Sequence, residues 1–142
     1  MRLIDFIICD DIRRELGNKV SIMGIYTESI NLSLPPDTKW PIPFRLGAYV
    51  RIALDDIDPI PDKFSVKISQ NDKSLAQLRG EITPIGGPSH TITLPIVINP
   101  LPLNGLGILR LEVEVLKGNE ELLAETHSIE VVQASIPKVQ FG

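Results

Sequence analysis

Apolar residues recur at every second position along most of this 142-residue chain, the period of a strand covered on one face. Leu3 to Cys9 is the exception: apolar throughout apart from Asp5, it reads as a first strand covered on both faces or lying across the seam of two sheets. Val20, Ile22 and Tyr26 share one face of a second strand, Lys19, Ser21, Met23 and Ile25 the other. Gly24 takes the place of a side chain and marks a bulge or a close backbone approach. Ile30, Leu32 and Leu34 alternate with polar residues as a third strand. The prolines of residues 35–43 then force an extended crossover, with Trp40 lidding one end of the core.

Phe44 to Leu54 is the longest regular alternation and predicts a central strand. Phe64, Val66 and Ile68 predict the next, followed by an Asn71-Asp72 turn and a weaker strand over Leu75 to Ile82. Thr83 to Ser89 has turn composition. Ile92, Leu94, Ile96 and Ile98 share a face, and Pro95 assigns that strand to an edge or a bulge. Residues 99–107 read as a connection. Leu109, Leu111, Val113 and Val115 point inward, and Gly118-Asn119 turns the chain into a hairpin with Leu122 to Val132, whose mixed parity predicts a bulge near Thr126. Ala134 to Gly142 reads as a short extended tail.

Between the first two strands the pattern breaks. Asp10 or Asp11 can cap one or two helical turns over residues 11–16, with Ile12 and Leu16 on one face and Gly17-Asn18 as a left-handed stop. Eight or nine short strands and this single helical turn predict an all-β, antiparallel two-sheet sandwich with immunoglobulin-like topology, a jelly roll being the alternative. The length suits one domain spanning residues 1–142.

A hydrophobic share of 43% with only 5% aromatic means that Ile, Leu and Val must build the core. The net charge of −4 is spread evenly, and Arg13 and Arg14 sit among acids, so nucleic acid is disfavoured. The lone Cys9 excludes an intrachain disulfide. No run approaches the ~20 apolar residues of a membrane helix, and the N-terminal run is broken by Asp5 and Asp10 where a signal peptide would be continuous. A cytosolic protein without membrane contact is expected.

Nucleophilic catalysis needs a histidine beside Cys9 or a serine, and only His90 and His127 are available. Cys9 ends an apolar strand and reads as a buried thiol, His127 as a surface or cross-strand residue, and His90 as solvated. Asp55, Asp56, Asp58 and Asp62 share one loop, which makes Asp55, Asp56 and Asp58 candidate calcium ligands. The loop lacks the glycine and terminal glutamate of an EF-hand and reads as a solvated acidic loop. The glycines of residues 83–89 have neither the lysine nor the following helix of a phosphate loop.

The charged segment offers a polar clasp closing one end of the sandwich, or a docking patch formed by Asp10, Arg13, Arg14, Glu15, Lys19 and Tyr26. Cys9-Asp10, Ile12-Arg13, Glu15, Gly17, Lys19 and the ending Met23-Gly24-Ile25-Tyr26 resemble the N-terminal signature of a family of small bacterial proteins known only as a domain of unknown function. That resemblance implies a bacterial cytosolic setting and agrees with the sandwich; it brings no activity or cofactor. The functional expectation is a non-enzymatic interaction or scaffold module with no cofactor, which meets a protein partner or a second copy of itself through an edge strand. The alternatives are a small-molecule, carbohydrate or calcium binder, with Tyr26, Trp40 and Tyr49 near a loop end, or an accessory subunit of an enzyme.

Overall fold

The computed structural model describes residues 1–83 and 90–134, which hold nine strands and no helix. They are β1 (Arg2–Glu15), β2 (Lys19–Ile25), β3 (Ser29–Leu32), β4 (Ile42–Ala53), β5 (Lys63–Gln70), β6 (Lys73–Glu81), β7 (Thr91–Leu103), β8 (Gly107–Lys117) and β9 (Glu120–Gln133). Two sheets pack face to face, one ordered β2-β1-β4-β7 and the other β3-β9-β8-β5-β6. The order is immunoglobulin-like: β4 and β7 stand as strands B and E of one sheet, and β5, β8 and β9 as C, F and G of the other.

The alternating residues meet between the sheets. Leu46, Ala48, Val50 and Ile52 of β4 and Leu109, Leu111, Val113 and Val115 of β8 are all buried in one cluster with Ile92, Leu94 and Ile96 of β7. Trp40, in the proline-rich crossover, is partly buried against this cluster. Phe6 of β1 also crosses the gap and stacks on His127 of β9, with ring centroids 5.3 Å apart. His127 therefore faces the other sheet. Asn71 and Asp72 take positive φ in the β5–β6 turn, as their position between two alternating runs predicts.

The helical turn predicted over residues 11–16 is instead strand. Asp11 to Glu15 pair with Met23 to Lys19, and Leu16, Gly17 and Asn18 close the hairpin, the last two at φ +81° and +58°. A helix this short would have held only by docking Ile12 and Leu16 on the core. Leu16 is 93% exposed at the tip, and the cross-strand ladder supplies the backbone partners a helix would have had to find within itself.

Three smaller expectations are also corrected. β7 continues to Leu103 through the predicted connection, because Asn99 and Pro100 form a bulge opposite Arg45 and return the buried Leu101 and Leu103 to the core face. The irregularity in β9 falls at Leu122, between the pairs Val115–Leu123 and Leu116–Glu121, whereas Thr126 sits in register opposite Glu112. Finally, the sandwich is not wholly antiparallel: β3 pairs in parallel with β9. Most of the Thr83–Ser89 turn and of the Ala134–Gly142 tail lies outside the described residues.

Candidate functional site

β1 serves two neighbours in succession. Arg2 to Cys9 pair with β4, from Ala53 back to Gly47, while Cys9 to Glu15 pair with β2. Past Cys9 the β1–β2 ribbon has no other ladder partner among the described residues. It carries Asp10, Arg13, Arg14, Glu15 and Lys19, so five of the six candidate docking residues lie on one projecting element, while Tyr26 follows its end and packs against the core.

The ribbon is tied down at its base. Asp11 accepts from the Ile12 N–H at 3.0 Å and lies 3.2 Å from the Arg45 guanidinium of β4 and 3.5 Å from that of Arg13. Tyr26 donates its hydroxyl to Asp10. Gly24, at φ +66° on the facing strand, leaves the space the Asp10 side chain occupies, which is the close approach its place in the pattern predicts. Burial first, then the hydrogen bond to Asp10, raises the Tyr26 phenol above its ordinary value. Near the tip Ser21 donates to Glu15 at 3.1 Å.

Strand parity divides the side chains. Arg13 and Glu15 share a face with their opposite residues Ser21 and Lys19, and Met23 and Ile25 continue it. Met23 and Ile25 are exposed, Ile25 to 54%. The second face carries Ile12, Arg14, Val20 and Ile22. The charges at the tip thus share one face of the ribbon with the apolar Met23 and Ile25.

The four edge strands are unequally protected. β7 carries Pro95, Pro100 and Pro102, β3 is four residues long, and β6 bears Lys73, Arg79 and Glu81. β2 has no proline, and Lys19 is its one charge. Prolines, charges and shortness are the devices that discourage an added strand, and β2 has the fewest of them.

Among the described residues neither histidine is placed to activate Cys9. Its thiol is fully buried, and burial together with the neighbouring Asp10 pushes its pKa up to about 11, the reverse of an activated thiolate. His127 is occupied by Phe6, and His90 Nδ1 lies 3.6 Å from Asp56. In the acidic loop the Met1 amine stands 2.7 Å from Asp58 and holds its carboxyl below the ordinary range, assisted by the Asp55 N–H at 2.7 Å. Asp62 accepts from the Gly118 N–H at 3.0 Å. Among the described residues no three His, Cys, Asp or Glu side chains gather as a metal site.

The three aromatic candidates are separated in their surroundings. Trp40 lines a groove of about 410 Å³ with Leu34, Pro35, Pro36, Leu106 and Gln133. Tyr26 instead lies beside Phe44, with ring centroids 6.5 Å apart, and Tyr49 sits mid-strand between Ile7 and Pro95. Arg45, which ties the ribbon to β4, was readable as an outward residue of a central strand, but its pairing with Asp11 depends on the β1–β4 register. Met23 and Ile25 were readable as one face of a strand; that this strand is an edge depends on the sheet order.

No protein-family model matches the chain, and no curated protein matches it closely enough to count as a relative.

Proposed function

We propose that the chain is a non-enzymatic interaction module that receives an extended segment of a partner protein along the open edge of β2. The carrying observation is the contrast among the edges: of the described edge strands, only β2 combines a length of seven residues with a single charge and no proline. Exposed Met23 and Ile25 offer apolar contact beside that edge, and Arg13, Arg14, Glu15 and Lys19 surround its tip with charges able to select a partner. The Asp11–Arg45 pair and the Tyr26–Asp10 hydrogen bond hold the ribbon in place before binding, which lowers the ordering cost of association.

The reading includes a cytosolic setting and membership of the bacterial family whose signature Cys9 to Tyr26 resembles. A free, reduced Cys9 is compatible with that compartment. None of the described residues forms a helix long and apolar enough to cross a membrane.

The test is a partner recovered from the native host and measured with purified components. Met23→Lys and Ile25→Lys place charges on the open edge of an exposed strand, so they are expected to weaken the complex about tenfold or more with little change in melting temperature. Binding should slow amide exchange along β2. A complex that survives both substitutions and leaves β2 exchange unaltered would sink the proposal; if the recovered partner is a second copy of the chain, the same variants should dissociate the dimer.

A further inference from the structure

On the other sheet, away from β2, the outer face of β6-β5-β8 holds a concavity of about 400 Å³ whose walls include Lys63, Lys67, Arg79, Gln77 and Glu114. Its centre is Ser65. Register sets Ser65 directly between Arg79 of β6 and Glu114 of β8, so a short side chain stands in a row of long ones and leaves a notch. Ser65 is only 6% exposed, and its hydroxyl has no hydrogen-bond partner among the described residues. Buried hydroxyls are ordinarily hydrogen-bonded, so the Ser65 Oγ is placed to meet a polar atom that enters the notch.

The rim is cationic. Lys63, Lys67 and Arg79 line the concavity against the single carboxylate of Glu114, which lies 4.0 Å from Lys67. Glu81 and Glu112, the cross-strand partners of Lys63 and Lys67, are not among its lining residues. We infer that this notch binds the phosphate group of a small phosphomonoester. Three cations opposed by one carboxylate balance a group carrying about −1.5 to −2 charges, whereas a simple carboxylate would leave the excess unmatched. Arg79 donates to the Gln77 amide oxygen through Nε at 3.2 Å and Nη2 at 3.1 Å, which orients its remaining guanidinium N–H groups as donors for the ligand. The lysines supply point charges, and the Ser65 hydroxyl supplies the donor at the floor. Glu114 is placed to accept from a hydroxyl on the ester's organic part, which the volume beyond a single phosphate accommodates.

Calorimetric and NMR titrations at low salt with inorganic phosphate and with glycerol 2-phosphate test this. Saturable binding is expected, tighter for the ester, with amide shifts centred on β5, β6 and β8. Arg79 is exposed, so Arg79→Ala should fold normally and weaken binding about tenfold or more. Ser65→Ala should weaken binding several-fold while raising the melting temperature, because it removes an unpaired buried oxygen. Failure to saturate, shifts spread over the whole surface, or equal binding by Arg79→Ala would overturn the assignment.

Discussion

Gly47 leaves the space that the Cys9 side chain fills: a Cβ built on Gly47 would stand 2.8 Å from Cys9 Sγ. The pair lies at the last register position β1 shares with β4, where β1 passes on to β2. Gly47→Ala is expected to cost about 1–3 kcal/mol through overpacking. Urea unfolding would show this as a lower midpoint at unchanged slope. Adding Cys9→Ala should recover part of the loss, since it vacates the contested volume; a purely additive double-mutant cycle would show that the two sites are independent.

Stability should fall at alkaline pH. Burial and Asp10 push the Cys9 thiol up to about 11, and burial and Asp10 raise the Tyr26 phenol as well. Each raised group releases its proton from the unfolded chain first, so the stability held by the neutral forms is complete below the ordinary thiol value of 9.0 and declines above it. Unfolding compared at about pH 8 and about pH 10.5 should show the decline. Cys9→Ala with Tyr26→Phe should make it shallower, and an unchanged slope would mean other groups are responsible.

The native thiol should also resist thiol–disulfide exchange. With a pKa of about 11 the thiolate is about one part in a thousand at pH 8, and the sulfur is fully buried. Labelling by a water-soluble disulfide reagent should track unfolding by denaturant, and rapid labelling of the native protein would contradict the burial.

Gly24→Ala should be more damaging than its exposed position suggests. The φ of +66° is costly for any residue with a Cβ, and that Cβ would run into the Asp10 carboxylate. A loss of about 1–3 kcal/mol is expected, and tyrosine absorbance should show a lower phenol pKa as the Asp10–Tyr26 contact opens.

Gln70 holds the β7–β8 connection. Its Nε2 donates to the Gly105 carbonyl at 2.7 Å, its Oε1 accepts from the Asn104 N–H at 2.9 Å, and the side chain is 3% exposed. Gln70→Leu keeps much of the volume but strands both backbone groups, for an expected loss of about 2–4 kcal/mol. Thermal denaturation measures it, and a loss below about 0.5 kcal/mol would show that solvent replaces the amide.

Strand identity was legible where one face is covered. β4 and β8 announce themselves by alternation because every second residue meets the same core, and the Asn71-Asp72 and Gly118-Asn119 turns follow from residues that tolerate positive φ. The charged segment was misread because Asp10 to Leu16 satisfies local helix rules. What makes it strand is Lys19 to Ile25 lying opposite, a nonlocal fact in which the ladder outweighs a short helix's own bonds. The bulges at Asn99-Pro100 and Leu122 shift parity by one residue, which alternation alone cannot locate. The parallel β3–β9 pair joins segments a hundred residues apart. Of the candidate site, the charges were visible from composition, while the open edge beside them belongs to the sheet order.

The unequal edges of the β2-β1-β4-β7 sheet set the stoichiometry of anything built on it. A sheet open at both ends could add molecule after molecule into a filament. Here the far edge is β7, where Pro95, Pro100 and Pro102 interrupt the donors an incoming strand would need. A partner strand bound at β2, as proposed, would therefore terminate the sheet, and light scattering should then show mass levelling at one partner per molecule however far the concentration is raised.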